Sequence, residues 1–436
     1  MKKVTLWLEK SSQASFALYC LFFSFSTYFC VYAFRKPFSV GTFEGKIFLP
    51  AIGHIDFKIL LIISQVMGYA LSKFIGIKFV SEVSRKKRGF IIAGMIILAE
   101  VCLILFPLIP KPYNSICLFL NGIPLGMIWG LVYSYLEGRK LSDLFGPGLS
   151  ASFIIGSGAV KSAGKWILEQ GLPEIWMPAV TGALFLPLTL FCVLMLDQIP
   201  SPSKEEEILR TKRKPMDAKE RWNFFTTFAP GILSLTVLYV VISAYKDFRD
   251  NFARELWDGL GYQGDTAIFT TNEMPIALVV LFALGGIAFI KGNRRSFNTI
   301  FAIMFFGSIM IGCFTFLFES GLIGPEMWMM GIGMGLYLAY VPFGCMLYDN
   351  LIGMTHFVGT AGMMIYVSDA FGYLGSVGVM LYKNFCQPDL EWVAFFIKFS
   401  YFTSIFCVVC FALSYLYFTG HKTFQNQVTL EPYGNA

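Results

Sequence analysis

Residues 14–38 read ASFALYCLFFSFSTYFCVYAFRKPF, an apolar run that ends in two adjacent basic residues. A helix needs about 20 mostly apolar residues to cross the core of a bilayer. This run carries no charged residue before Arg35, so it predicts a membrane-spanning helix that places Arg35 and Lys36 near its carboxyl end.

Eleven further apolar runs follow in the chain. The twelve predicted spans are 14–38, 57–79, 89–109, 115–136, 147–169, 175–197, 229–250, 272–290, 297–318, 326–348, 358–382 and 392–418. Backbone polar groups in lipid must be bonded within their own segment, so continuous runs of this length predict helices. The predicted fold class is an all-α polytopic membrane protein with 12 transmembrane helices.

The overall composition agrees with that class. The chain has 436 residues, of which 56% are hydrophobic and 14% charged, and its mean hydropathy is +0.63. Soluble globular chains carry roughly 25% charged residues. The composition therefore excludes a soluble enzyme, a disordered chain and a nucleic-acid-binding domain.

The basic residues in the connections predict the orientation of the helices. With the amino terminus in the cytoplasm, the cytoplasmic connections hold 20 Lys and Arg residues and the opposite ones hold 4. Cytoplasmic loops carry this excess in membrane proteins. We therefore predict that both termini are cytoplasmic and, taking a bacterial origin, that the protein lies in the inner membrane. The formal charge of +6 then reflects topology and not a nucleic-acid partner.

The longest internal polar segment, 198–222, lies near the middle of the chain. It predicts an amino-terminal six-helix half (1–197), a cytoplasmic linker (198–222) and a carboxyl-terminal six-helix half (223–436). Two short repeats support such halves. Phe-Arg-x-x-Phe occurs around Arg35 and again around Arg249, and Lys161-Ser-Ala-Gly stands against Asp369-Ala-Phe-Gly at a similar offset.

Charged residues inside the spans are the candidate site residues. Each costs about 2.5 to 3.5 kcal/mol on insertion scales, so an interior charge points to function. Basic residues outnumber acidic ones there, which predicts an anion-binding cavity. Arginine binds a phosphate or carboxylate bidentately, so we predict that Arg35 and Arg249 clamp the anion. Lys36, Lys73 and Lys161 would add positive charge.

Two interior lysines also have local structural interpretations. Lys246 can pair with Asp250, four residues further along the same helix, and Lys165 can pair with Glu169 in the same way. Both pairings compete with a role in transport.

The interior acids leave further alternatives open. Asp369 or an anionic ligand could balance Lys161, and Lys36 could exchange partners between Asp250 and Asp369. Glu100 and Asp369 could couple transport to protons, or they could pair with the interior lysines.

The stretch Tyr32-Ala-Phe-Arg35-Lys36-Pro-Phe38 resembles the first-helix signature of the organophosphate:phosphate antiporters, a family of the major facilitator superfamily. Gly68-Tyr-Ala-Leu-Ser-Lys73-Phe74 followed by Gly76 resembles the second-helix motif of that family, and Arg249 falls at its seventh-helix arginine. Members include glycerol-3-phosphate and hexose-6-phosphate transporters. The whole chain is also similar to a group of uncharacterised bacterial membrane proteins placed beside them.

The resemblance implies a major facilitator fold of two pseudo-symmetric six-helix bundles. It implies that Arg35 and Arg249 grip the substrate phosphate from the two halves, and that Lys36 and Lys73 contribute positive potential. It also implies a monomer. Where phosphate transporters of the family carry a histidine in the fifth helix, this chain has Lys161 and Lys165.

The predicted function is secondary transport of an organic anion, with a phosphorylated metabolite exchanged for inorganic phosphate by alternating access. Two alternatives stay open: a proton-coupled carrier of a sugar or carboxylate, and a membrane sensor that binds sugar phosphate without moving it. No HExxH, GxSxG or phosphate-loop motif occurs. We therefore predict no enzymatic activity, no cofactor and no metal, with the anionic substrate and the bilayer as partners.

Overall fold

Fifteen α-helices and one β-hairpin make up the part of the chain that the computed structural model describes, which is residues 2–50, 53–136, 142–201, 226–290, 292–353 and 362–420. Three of these helices are short: α1 (Lys2–Lys10), α9 (Ala253–Gly259) and α13 (Leu347–Gly353). The long helices are α2 (Gln13–Val31), α3 (Phe57–Glu82), α4 (Arg85–Leu105), α5 (Ser115–Tyr133), α6 (Ser142–Glu169), α7 (Met177–Leu196), α8 (Ala229–Asn251), α10 (Ile268–Gly285), α11 (Asn293–Glu319), α12 (Pro325–Cys345), α14 (Gly362–Cys386) and α15 (Trp392–Gly420).

Each long helix corresponds to one predicted span. Among the described residues, ten helices are long and apolar enough to cross a membrane. The other two, α6 and α14, have 28 and 25 residues, enough for a bilayer core at 1.5 Å per residue. They carry interior charges, Lys161 and Lys165 on α6 and Asp369 on α14, which lower their apolar character.

The long helices pack as two bundles of six. In the first bundle, α3 packs on α5, and α2 packs on α6 and α7. In the second bundle, α8 packs on α14 and α15, and α11 packs on α12. The bundles meet where α6 contacts α10 and where α3 contacts α14. We call the end of the molecule where α2 begins the near face, and the end where α2 finishes the far face.

Small residues allow the helices to approach closely. A Cβ added at Gly307 of α11 would lie 2.6 Å from the carbonyl oxygen of Gly335 of α12. In the first bundle, a Cβ at Gly122 of α5 would overlap the carbonyl oxygen of Gln65 on α3. Such positions let two backbones touch, which is how packing contacts hold helices together in lipid.

A short hairpin covers part of the far face, in a segment that the apolar runs predict only as a connection between the first two spans. Strands β1 (Lys46–Leu49) and β2 (Gly53–Asp56) pair antiparallel, with Lys46 opposite Asp56. The side chain of Asn384, on α14, holds β2. It accepts a hydrogen bond from the Asp56 amide at 3.0 Å and donates one to the His54 carbonyl at 3.3 Å. The hairpin therefore links the first bundle to the second.

The predicted linker 198–222 falls largely outside the described residues, which stop at 201 and resume at 226. The division into halves at that segment stays a prediction.

Candidate functional site

The carboxyl end of the first span is not a regular helix. The α-helix ends at Val31 and is followed by two 3₁₀ turns, Tyr32–Phe34 and Pro37–Val40. Pro37 has no N–H to donate to a continuing helix. Instead, the amides of Arg35 and Lys36 both donate to the Tyr32 carbonyl, at 3.0 and 2.9 Å.

Two buried amide side chains bond the carbonyl groups that this break leaves free. Asn121 donates to the Phe34 carbonyl at 3.1 Å, and Gln65 donates to the Arg35 carbonyl at 3.2 Å. Gln65 also donates to the Asn121 side chain at 2.9 Å. Because buried backbone carbonyls need partners, these two side chains fix the tightened turn that carries Arg35.

A central cavity lies between the two bundles and has about 600 Å³ of empty space, part of it open to solvent. Arg35, Lys73, Lys246 and Asp369 are the charged residues of its lining. The rest of the lining is mainly aromatic and apolar. Six of these residues are tyrosines, namely Tyr28, Tyr32, Tyr69, Tyr239, Tyr340 and Tyr373. The others are Trp129, Phe153, Ser150, Val341, Gly344 and Ile365.

Among the cations that line this cavity, Arg35 is the one that forms no ion pair with a described residue. It is only 6% exposed, and its guanidinium has no ion pair and no hydrogen bond to any residue that the structure describes. The guanidinium carbon lies 4.0 Å from the centre of the Tyr69 ring, within the range of a cation–π contact. Arg35 therefore keeps its donors available for an anionic group.

Lys73 and Asp369 form an ion pair between the two bundles. The Lys73 Nζ lies 3.0 Å from the Asp369 carboxylate, and the Tyr239 hydroxyl donates to the same carboxylate. Asp369 lies seven residues from the start of α14, towards the near face. We call Lys73–Asp369 the near ion pair; it joins α3 to α14.

A second charged cluster joins the bundles on the far side of the cavity. Asp250, next to the end of α8, pairs with both Lys36 and Lys161. The Ser157 hydroxyl also donates to Asp250, and Lys36 Nζ donates to the Asn251 side chain at 2.8 Å. We call Lys36, Asp250 and Lys161 the far ion cluster.

Two further contacts close the far face. Lys58 of α3 pairs with Glu255 of α9, and Arg254 donates to the Val40 carbonyl. Burial raises the pKa of the Glu255 carboxyl, while the charge of Lys58 opposes that rise. The contacts leave the protein closed on its far side.

The structure does not bring Arg35 and Arg249 into one cavity. Arg249 forms an ion pair with Glu273 at 2.6 Å and donates to the Met329 carbonyl at 3.0 Å. It lines a separate space of about 250 Å³ with Lys161 and Glu273. The role of Arg249 in the predicted clamp therefore stays a prediction for another conformation.

Both local pairings predicted along a single helix are wrong. Lys246 pairs with the adjacent Asp247 at 3.1 Å, because Asp250 is occupied by lysines from the other bundle. Lys165 donates to the Gln263 carbonyl at 2.6 Å and not to Glu169, because the chain before α10 lies over it.

The interior acids differ in the same way from the expected pairs. Asp369 balances Lys73, and Asp250 takes the partner role considered for Asp369 at Lys161. Glu100 pairs with no lysine that the structure describes. It is 4% exposed, and neither carboxyl oxygen has a hydrogen-bond partner among the described residues.

Sequence reasoning missed Glu273 and the tyrosines. Glu273 stands at the start of a predicted span, where an acid normally reaches water, and only the fold turns it towards Arg249. Tyr28 and Tyr32 are four residues apart on one helical face, a spacing that indicates a shared surface.

Comparisons with known proteins support the predicted fold. The profile of a family of unknown function (DUF5690) matches residues 37–421. A solved D-xylose–proton symporter has a TM-score of 0.58 and 14% identity, and the match covers 93% of this chain and 98% of that one. A bacterial homologue of the human drug peptide transporters PepT1 and PepT2 has a TM-score of 0.57 and 12% identity, and the match covers 91% of this chain and 97% of that one. None of the curated proteins matches the sequence.

These likenesses, at low identity, show the fold alone. Both solved proteins are major facilitator transporters, so the predicted fold class, two pseudo-symmetric six-helix bundles with twelve membrane-spanning helices, is confirmed. The finer resemblance to organophosphate antiporters is not tested by these structures.

Proposed function

We propose that this protein, which belongs to the family of unknown function DUF5690, is a secondary transporter of an organic anion. The observation that carries the proposal is Arg35, a buried guanidinium in a cavity between two bundles that forms no ion pair with any described residue. A buried charge is expensive unless it is paired. An anionic substrate that enters the cavity would supply the missing partner.

The charges around the cavity favour a phosphorylated metabolite. The cavity lining, the far ion cluster and Asp247 together hold five basic and three acidic side chains, an excess of two positive charges: Arg35, Lys36, Lys73, Lys161, Lys246, Asp247, Asp250 and Asp369. A phosphate monoester is close to a dianion near neutral pH. Its charge matches the excess, and the planar fork of Arg35 suits bidentate contact with its oxygens.

The two ion groups suggest how binding is coupled to movement. Arg35 and Lys73 contact the same Tyr69 ring, at 4.0 and 5.3 Å, so an anion held by Arg35 lies within reach of Lys73. There it competes with Asp369 and weakens the near ion pair. The far ion cluster keeps the opposite side closed meanwhile, which is the requirement for alternating access.

Exchange for inorganic phosphate follows from the same charges. When the organic anion leaves, the excess of positive charge is restored, and a second anion must neutralise it before the bundles rock back. Inorganic phosphate satisfies Arg35 with the same chemistry. We propose the halves 1–197 and 223–436 as the rocking units of a monomer in the inner membrane, with both termini in the cytoplasm, supported by the distribution of basic residues.

Thermal shift of the purified protein against phosphorylated metabolites and their unphosphorylated counterparts tests the proposal. A ligand that binds only the native state raises apparent stability with its concentration. We expect stabilisation by phosphorylated compounds alone, its loss in Arg35→Met, and wild-type behaviour in the exposed control Arg295→Gln. Equal stabilisation by neutral sugars or carboxylates would contradict the phosphate assignment.

Counterflow in proteoliposomes separates transport from sensing. If the protein is a carrier, proteoliposomes loaded with unlabelled phosphate take up labelled phosphate against its gradient. A receptor binds the phosphate without moving it across the membrane. If the protein binds the anion through Arg35 but shows no counterflow, the sensor function would be favoured over the transporter function.

Glu100 favours a second candidate, a proton-coupled carrier of a sugar or carboxylate. Its carboxyl group is buried against Gly182 without a partner among the described residues. A group placed in this way can gain or lose a proton as its surroundings change during the cycle. Uptake driven by an imposed pH gradient, and abolished by Glu100→Gln, would support this candidate over phosphate exchange.

A further inference from the structure

Helix α1 precedes the first membrane-spanning helix and lies on the near face. Leu8 is its buried contact with the protein, at 2% exposure, and the Thr5 hydroxyl donates to the Gln198 side chain at 3.3 Å, beyond the end of α7. One side of this nine-residue helix is therefore anchored to the first bundle.

The opposite side of α1 presents a stripe that we define as Lys3, Leu6, Trp7 and Lys10. All four side chains are exposed, with Leu6 and Trp7 at 54% each. Their spacing of i, i+3, i+4 and i+7 places them on one helical face. The stripe thus combines two large apolar side chains with a lysine at each end.

Neither water nor the bilayer core suits this stripe. Exposure of the tryptophan and leucine side chains to water is unfavourable, and a lysine side chain is costly in the hydrocarbon region. The headgroup zone of a bilayer accommodates both, because tryptophan partitions there and lysine can reach the lipid phosphates.

The stripe is continuous with the lipid-facing surface of α2. The ring of Trp7 lies 6.4 Å from that of Tyr19. The neighbouring residues Leu18 and Phe22 are 68% and 63% exposed on α2, as expected of side chains that face lipid chains. Trp7 therefore lies where the membrane-spanning surface ends and the headgroups begin.

We propose that α1 is a lipid-binding element whose stripe docks on the near leaflet and recruits anionic phospholipid. Lys3 and Lys10 supply the charge complementarity, and Leu6 and Trp7 insert beside the headgroups. A lysine near an anionic surface contributes about 1 kcal/mol, roughly a fivefold preference each. The interaction is independent of the substrate cavity.

The test uses the full-length protein in vesicles doped with a small fraction of headgroup spin-labelled lipid, either phosphatidylglycerol or phosphatidylcholine. The fluorescence of wild type minus that of Trp7→Phe isolates the Trp7 signal. We expect the labelled phosphatidylglycerol to quench this signal severalfold more than phosphatidylcholine at equal mole fraction. The preference should fall towards one in Lys3→Gln/Lys10→Gln and at high salt, and persist in Lys3→Arg/Lys10→Arg.

Trp176 provides a matched control on the far face, where it precedes α7 at 37% exposure. The difference between wild type and Trp176→Phe should show no preference for either quencher. Equal quenching of Trp7 by both lipids would overturn the anionic preference, and no quenching by either would place α1 in water. Quenching is read from the protein already in the bilayer, so it does not depend on transport.

Discussion

Arg35 and Arg249 occupy equivalent places in the sequence repeat, yet the structure predicts different effects on stability when each is replaced by methionine. Arg249 is 4% exposed and neutralises Glu273 at 2.6 Å. Its removal leaves a carboxylate in the protein interior without its cation, which costs about 3–5 kcal/mol.

Arg35 forms no ion pair with an acid in the described part of the chain, so its replacement leaves no carboxylate without its cation. Its cation–π contact with Tyr69, at 4.0 Å, contributes about 2 kcal/mol when desolvated. The desolvation penalty of an unpaired buried ion is several kcal/mol and opposes that gain. We therefore expect Arg35→Met to leave the free energy of unfolding unchanged within about 1 kcal/mol, or to raise it, so the two variants should differ by at least about 2 kcal/mol.

The assay is equilibrium unfolding in mixed micelles, followed by the loss of helical circular dichroism, for wild type and both variants without ligand. A third variant, Arg249→Met combined with Glu273→Gln, removes the orphaned charge and should recover part of the loss, as a coupled pair does in a double-mutant cycle. A similar fall in the free energy of unfolding for both single variants would refute the claim that Arg249 is paired with an acid and Arg35 is not. A larger fall for Arg35→Met would show that the charge of Arg35 is balanced in the protein.

Three other predictions rest on contacts elsewhere. Gly68→Ala forces a Cβ into a backbone carbonyl of α5 and should cost about 1–3 kcal/mol, whereas Gly94→Ala, with open space around it, should not lower the thermal unfolding midpoint. Lys73→Gln and Asp369→Asn should each slow counterflow by at least tenfold, because each variant breaks the near ion pair. A double-mutant cycle on the free energy of unfolding should give a coupling energy of about 0.5–3 kcal/mol. Additive effects of the two substitutions on stability would contradict the near ion pair. Asn384→Ala removes two hydrogen bonds to β2 and should increase amide hydrogen exchange in that strand, with unchanged exchange arguing against this attachment.

The sequence alone predicted the helices because the signal for a membrane span is local. A run of about 20 apolar residues has one solution in lipid, so the long helices correspond to the predicted spans despite shifts at their ends. Hairpin Lys46–Asp56 and helix α1 lack such a signal. Each is stabilised by contacts with distant residues, Asn384 for the hairpin and Gln198 for α1.

The interior charges could be identified but not paired from the sequence. Lys246 and Asp250 have the spacing of a helical ion pair, yet Asp250 meets Lys36 and Lys161, which are 214 and 89 residues away. A buried charge takes the partner with the best geometry and least desolvation, and that choice depends on how two bundles meet. The sequence determined which residues are charged within the membrane, and the tertiary structure decided that Arg35 alone, among the cations lining the central cavity in the described chain, has no acidic partner.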